Sequence, residues 1–145
     1  MLSPSSKALR PRPGDLRSRA AGSVKCRRGA LSRVPYQTTT VESVGSDLPD
    51  DAGADLYFMK DALDTEEVAF SVYRMEPNAR GMEHDHATSG QEEVYYVVNG
   101  GVDVQFGEDT VSLEEGEAIR IDPEEQRRIL NRDHYSELVL VGAPR

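Results

Sequence analysis

The sequence predicts an all-β fold, a barrel or sandwich of short strands, and three observations support this class. Nine short segments have the composition of strands and follow one another at close spacing. Gly, Pro, Asn and Asp residues separate these segments. Only Lys60–Glu67 has a helix-like pattern. The nine predicted strands are Asp55–Met59, Val68–Met75, Met82–His86, Glu93–Val98, Val102–Phe106, Thr110–Leu113, Ala118–Ile121, Arg127–Leu130 and Leu138–Val141.

Two of these strands have the clearest local signals. Val102–Phe106 alternates apolar and polar residues, as a strand with one buried face does. Asn99 and Gly100 stand between this strand and the preceding one, and both residue types adopt positive φ at little cost. We therefore expect a tight hairpin that joins Glu93–Val98 to Val102–Phe106.

Length and composition allow one domain and a tail. The chain has 145 residues, 37% of them hydrophobic, and no Trp, so its core must be small and built mostly from Val, Leu and Ile. Its one cysteine, Cys26, excludes an internal disulfide and a zinc site made of several cysteines. No apolar run approaches the roughly 18 residues of a membrane helix. We expect a tail at 1–33, an acidic lead-in at 34–54 and a barrel domain at 55–145.

The tail is basic and differs in character from the rest of the chain. Residues 1–33 contain nine Lys or Arg residues and one acidic residue, Asp15. Many Ser, Pro and Gly residues and no apolar period predict disorder. A transit peptide, a nucleic-acid-binding arm and a start codon assigned too far upstream are the three interpretations. We favour the upstream start, because no aromatic residues lie among the arginines and the domain-like sequence begins at Val34.

The remaining chain is strongly acidic. The whole protein has a net charge of −9, and residues 34–145 alone carry −17. Such a surface repels DNA and anionic membranes, so we expect neither nucleic acid nor membrane as a partner. It also fits a protein kept soluble in high salt, where ions screen the self-repulsion. With no secretory signal at its start, the sequence predicts a halophilic, cytoplasmic protein.

Two histidines and a glutamate form the pattern with the clearest chemical meaning. His84 and His86 are two residues apart on a predicted strand, so their imidazoles point to the same face. Glu93 begins the next strand. Two imidazoles and one carboxylate form the facial triad of non-haem iron sites and also suit Mn, Zn or Ni. The sequence therefore predicts a divalent-metal site formed by His84, His86 and Glu93.

The same residues carry a resemblance to the cupin superfamily. Its first motif has a Gly five residues before His-x-His, then a Glu six residues before a second Gly. Here Asn78 takes the first Gly position, and Asn tolerates left-handed backbone angles better than most residues. His84-Asp-His86 follows, and Glu93 precedes Gly100 by six residues, after a loop that is longer than usual. Glu92 competes as the ligand but faces the opposite side of its strand.

The second cupin motif is degenerate. Its register from Gly116 reaches Arg127 where the family has its fourth metal ligand, a His, and ends correctly at Asn131. The resemblance covers about residues 55–143. It implies a small, single-domain, RmlC-like cupin of the cupin-2 type, with the fold of one antiparallel barrel: a jelly roll, or double-stranded β-helix.

Arg127 leaves two interpretations of the site open. An inward guanidinium about 5 Å from a divalent ion is repelled by about 6 kcal/mol at an effective dielectric of 20. Two arrangements relieve this repulsion: the Arg127 head moves to the barrel mouth, or a register shift brings Arg128 or Gln126 to its place, where Gln126 supplies an oxygen. Without a metal, Arg127 pairs with Glu93 beside neutral histidines and helps to form an anion pocket. Two imidazoles on one face favour the metal.

The resemblance implies a function in small-molecule binding. We expect a divalent metal (Fe, Mn, Zn or Ni) and a small polar or anionic ligand at the barrel mouth, with Tyr95, Gln126 and Arg127 as ligand contacts. Similar cupins include oxygenases and isomerases, but the sequence leaves open whether this protein is an enzyme. The alternative is a metal-free binding or sensor protein with Arg127 as its anion anchor. Small cupins are often dimers, so a homodimer is expected.

Overall fold

The computed structural model describes residues 35–145, and the predicted basic tail at 1–33 lies outside the described residues. Eight strands, one short α-helix and one 3₁₀ helix make up the described part. Within residues 35–145, no helix is long and apolar enough to cross a membrane. The elements are the 3₁₀ helix Val41–Ser43, β1 (Ala54–Phe58), α1 (Lys60–Leu63), β2 (Ala69–Met75), β3 (Gln91–Asn99), β4 (Gly101–Phe106), β5 (Asp109–Glu114), β6 (Ala118–Ile121), β7 (Arg128–Asn131) and β8 (Ser136–Pro144).

The strands form two antiparallel sheets. One has the order β1-β2-β8-β3-β6, and the other has the order β5-β4-β7. Every second residue of a strand points into the space between the two sheets. The fully buried side chains there include Tyr95, Val97, Val102, Val104 and Leu138. This arrangement confirms the predicted all-β barrel of the jelly-roll type.

The lead-in segment contacts the barrel through Leu48, which packs against the core. The backbone N–H of Asp47 donates to the carbonyl of Leu56, at 2.9 Å. The barrel itself begins at Ala54. The helical prediction at Lys60–Glu67 is confirmed for its first turn alone, because Asp64 at the helix end has a φ of 53° and turns the chain away.

The predicted hairpin between β3 and β4 is wrong. β3 pairs with β6 and β8, whereas β4 pairs with β5 and β7, so the chain crosses from one sheet to the other at Gly100. The positive φ expected for a turn is present, since Gly100 has a φ of 82°. A Cβ at this position would lie 2.5 Å from Ser136 Oγ and 2.6 Å from the Tyr135 carbonyl oxygen. Close packing of the crossing chain therefore requires glycine here.

The predicted strand Met82–His86 is not a regular strand. Two isolated bridges join this region to β7 and its preceding residue: Arg80 with Leu130, and His84 with Arg127. The two bridges are four residues apart on one segment, from Arg80 to His84, but only three apart on the other, from Arg127 to Leu130. The pairing register therefore shifts by one residue between the bridges. Such a bulge interrupts a continuous ladder and bends the segment that carries it.

Two motif positions of the sequence have structural roles. Asn78 has a φ of 64°, which confirms that it replaces glycine in a left-handed conformation. Asn131 is buried, and its side-chain amide donates to the carbonyls of Met75, Glu76 and His134. Ser136 Oγ donates to Asn131 Oδ1 at 2.7 Å. Asn131 therefore holds the turn between β7 and β8 against the end of β2.

Candidate functional site

His84, His86 and Glu93 meet at one end of the barrel, as the sequence predicts. One ligand atom from each lies within 4.8 Å of the other two. His86 Nε2 is 3.2 Å from Glu93 Oε1, and His84 Nε2 is 3.7 Å from Glu93 Oε2. The two imidazole rings are 5.3 Å apart, at an angle of 72°. We call these three residues the His-Glu cluster.

Backbone hydrogen bonds orient the two histidines. His84 and Arg127 exchange both of their backbone bonds, at 3.0 and 2.9 Å, and the N–H of His86 donates to the Pro123 carbonyl at 2.8 Å. These bonds fix the backbone at His84 and at His86 against the 123–127 segment. Alternate side chains of an extended chain share a face, which brings both imidazoles toward Glu93 on β3.

The tautomer of His84 follows from its second hydrogen bond. His84 Nδ1 lies 3.1 Å from the carbonyl oxygen of Met82. A carbonyl only accepts, so Nδ1 carries the proton and donates it. In the neutral ring, Nε2 then has a lone pair, and this lone pair faces the carboxylate of Glu93. A cation between the two groups, or a proton on Nε2, removes the repulsion.

Glu93 is the centre of a network that continues into the barrel interior. Its Oε2 accepts a hydrogen bond from Tyr95 Oη at 2.8 Å and another from the Arg127 guanidinium. Arg127 is fully buried, and it also donates to the Glu125 carbonyl at 2.9 Å and to Tyr95 Oη at 3.3 Å. The charge of Arg127 is therefore compensated directly by Glu93. Oε1 of Glu93 stays directed toward His86.

The network shifts the pKa values of its members. Burial raises the pKa of Glu93, but interaction with His84 and hydrogen bonds from Arg127 and Tyr95 outweigh it and lower the pKa to about 2. Interaction with the Glu93 carboxylate raises the pKa of His84, against the effect of burial. Burial and the neighbouring Glu93 charge raise the pKa of Tyr95. Glu93 is thus ionised, and Tyr95 stays a hydrogen-bond donor, at neutral pH.

The His-Glu cluster has a donor set that fits a divalent metal through three ligands. Two imidazole nitrogens and one carboxylate oxygen are common ligands of Fe, Mn, Zn and Ni. Because Arg127 and Tyr95 hold Oε2, the oxygen available to an ion is Oε1. Neither relocation expected from the sequence occurs: Arg127 stays fully buried and pairs with Glu93, as the metal-free interpretation expects. The Glu93 carboxylate compensates this charge directly, which weakens the repulsion between Arg127 and an ion at Oε1.

A cavity of about 300 Å³ opens beside the cluster, between the large sheet and the 81–86 segment. Its wall is mostly apolar, with Leu56 on β1, Leu140 on β8 and Ile129 on β7. Met82, a residue more typical of a core, is 78% exposed and lines this cavity. The imidazoles and the carboxylate in the cavity wall are those of the His-Glu cluster, and no Lys, Arg or Asp from the described part of the chain is among the lining residues.

The three predicted ligand contacts lie outside this cavity. Tyr95 and Arg127 are behind Glu93, in the barrel interior, and neither lines the cavity. Gln126 is exposed on the turn before β7, and the structure does not bring it to the cluster. The roles of these residues in ligand binding remain predictions.

Sequence reasoning missed two polar residues of the cavity wall, Ser71 and Gln91. Gln91 is two residues before Glu93 on β3, so the alternation of strand side chains would have placed it on the same face. No local signal identifies Ser71, because its position depends on the pairing of β2 with β8.

Comparison with known proteins identifies the fold. Residues 71–141 match the Cupin domain family. No curated protein matches the chain. Among solved structures, similar folds include a sugar phosphate isomerase of the cupin superfamily from Silicibacter pomeroyi, with 19% identity, coverage of 74% of this chain and 76% of that one, and a TM-score of 0.60. An RmlC-like cupin from Shewanella frigidimarina has 16% identity, coverage of 77% and 96%, and a TM-score of 0.59.

A third similar structure is KdgF from a Halomonas species. It has 17% identity, covers 68% of this chain and 86% of its own, and has a TM-score of 0.56. At these identities the similarity establishes the architecture, and the chemistry must be argued from the site itself.

Proposed function

Because this chain belongs to the cupin superfamily, we propose that it binds a divalent metal ion and a small molecule at the mouth of its barrel. His84, His86 and Glu93 hold the ion in this proposal. The observation that carries it is the convergence of their three ligand atoms within 4.8 Å. The lone pair of His84 Nε2, directed at the Glu93 carboxylate, gives a cation a favourable position between them.

Three protein ligands leave coordination positions for a substrate atom. A metal held in this way polarises a carbonyl group or activates oxygen. The protein's own contribution is to fix the ligands: Arg127 and Tyr95 hold Oε2 of Glu93, and the Met82 carbonyl holds the His84 ring. The apolar wall beside the cluster excludes water from a bound molecule. A metal-dependent oxygenase or isomerase is the kind of enzyme that this arrangement would serve.

The test is the metal content of the full-length protein purified without chelator. We expect close to one Fe, Mn, Zn or Ni ion per chain, and loss of that ion in His84→Ala and His86→Ala. His134→Ala is the matched control, because this third histidine contacts Asp133 away from the cluster. A metal-free parent, or equal metal in all three variants, would contradict the proposal.

A metal-free binding or sensor protein is the second candidate. The ion pair between Arg127 and Glu93 favours it, because the pair neutralises the buried charges without an ion. For Arg127 to anchor an anion, its guanidinium would have to release Glu93, to which it now donates. Binding of acetate by the parent and not by Arg127→Met would support this candidate, and equal binding by both would contradict it.

The salt-adapted surface, the cytoplasmic location and the homodimer stay predictions. Equilibrium sedimentation at low and high salt tests the homodimer, and we expect a dimer in both conditions. Urea unfolding at the same two salt concentrations tests the salt adaptation, and we expect the free energy of unfolding to rise with salt.

A further inference from the structure

The wall of the cavity beside the His-Glu cluster is apolar along most of its length. Leu56 and Phe58 from β1, Leu140 from β8 and Ile129 from β7 contribute aliphatic and aromatic side chains. Ser71 and Tyr73 add hydroxyl groups, and Gln91 adds an amide. The volume of about 300 Å³ lies at the lower end of the range for ligand sites. A molecule of a few rings or a short branched chain fills such a space.

The charges around the cavity determine what that molecule can carry. Among the described residues, the lining side chains include no Lys and no Arg. Arg127, which the sequence places at the site as an anion anchor, is fully buried behind Glu93 and donates to it. The carboxylate at the cavity wall is that of Glu93, and the guanidinium that compensates it lies on the far side of Glu93 from the cavity. An anionic group on the body of a ligand would therefore be desolvated without a cationic partner.

From this distribution we infer that the cavity selects a ligand with an uncharged, apolar body and one polar end. The apolar body lies against Leu56, Leu140 and Ile129, and the polar end meets the His-Glu cluster. Sugar phosphates and polyhydroxylated acids, with charged or polar groups along their whole length, are excluded. The inference rests on the proposed small-molecule function and adds the chemical class of the ligand.

Two fluorescent probes that differ by one sulfonate test this inference on the full-length protein. N-phenyl-1-naphthylamine is neutral, and 8-anilino-1-naphthalenesulfonate is the same skeleton with an anionic group. Titrations in EDTA prevent a bound metal from compensating the sulfonate. We expect the neutral probe to bind at least about tenfold more tightly, because the sulfonate is desolvated without a partner. Equal or tighter binding of the sulfonate, or no saturable binding of the neutral probe, would overturn the inference.

Variants locate the probe. Ala69→Phe places a ring in the cavity and should weaken binding of the neutral probe about tenfold by occluding its space. Val94→Phe adds the same ring to the exposed outer face of β3 and should leave the affinity unchanged. Leu56→Lys adds a cation to the wall and should bring the affinity for the sulfonate close to that for the neutral probe. If Ala69→Phe and Val94→Phe both bind like the parent, the probe occupies another surface and the inference fails.

Failure of this inference is distinguishable from failure of the proposed metal function. Probe selectivity is measured in EDTA, whereas metal content is measured on protein purified without chelator. A metal-loaded protein that prefers the sulfonate contradicts the ligand class alone. A metal-free protein that prefers the neutral probe contradicts the metal proposal alone.

Discussion

Substitution of Arg127 by methionine tests the buried network at its most constrained point. Methionine keeps much of the side-chain length and removes the charge, so Glu93 loses its charged donor while its side chain remains 13% exposed. The Glu93 pKa is lowered from 4.5 to about 2 despite the opposing effect of burial, a net preference of about 3 kcal/mol for the ionised carboxyl in the folded protein. Arg127 is the donor with a permanent charge, so we expect a loss of about 2–3 kcal/mol in the free energy of unfolding.

The assay is urea unfolding at pH 7 in EDTA, for the parent, Arg127→Met and Arg127→Met with Glu93→Gln. The double variant removes the uncompensated carboxylate, and it should recover at least half of the lost stability. Arg120→Met is the control: this arginine is 55% exposed and pairs with Asp122 on the surface, so its loss should change stability little. A loss in Arg127→Met no larger than in Arg120→Met, or a double variant less stable than the single one, would refute the reasoning.

Three further predictions concern pH and buried packing. The folded-state pKa of Glu93 is lowered, so its contribution to stability is present above pH 4.5 and is lost as the pH falls from 4.5 to 2. In urea unfolding across this window, the free energy of unfolding should decrease less in Glu93→Gln than in the parent. Gly100→Ala should cost about 2 kcal/mol or more, because the φ is 82° and the new Cβ meets Ser136 Oγ, whereas Gly45→Ala, with open space around it, should not lower the melting temperature. Asn131→Ala should cost about 3 kcal/mol in urea unfolding, because it leaves buried carbonyls without a donor, and a loss below about 1 kcal/mol would contradict that role.

The parts of the site that follow from local periodicity were predictable from the sequence. The spacing of His84 and His86 placed their rings on one face, and Glu93 and Tyr95 share a face of β3 for the same reason. The register of the second cupin motif placed Arg127 inside the barrel, where it is fully buried. These predictions need only an extended backbone with a side-chain period of two.

The parts that depend on pairing between distant strands were not predictable. Asn99 and Gly100 have the residue types of a hairpin turn, but the partners of β3 and β4 are chosen by the packing of two sheets. In the same way, no local pattern indicates that Arg127 donates to the Glu125 carbonyl and Tyr95. The apolar cavity wall combines β1, β2, β7 and β8, so its character appears only in the assembled barrel.

The most direct test of the His-Glu cluster is a crystal of the full-length protein grown with Zn²⁺, with data collected at the zinc absorption edge. We expect one anomalous peak per chain about 2.0–2.2 Å from His84 Nε2, His86 Nε2 and Glu93 Oε1, with Arg127 still bound to Oε2. A cluster free of anomalous density, or a zinc ion bound elsewhere on the acidic surface, would contradict it.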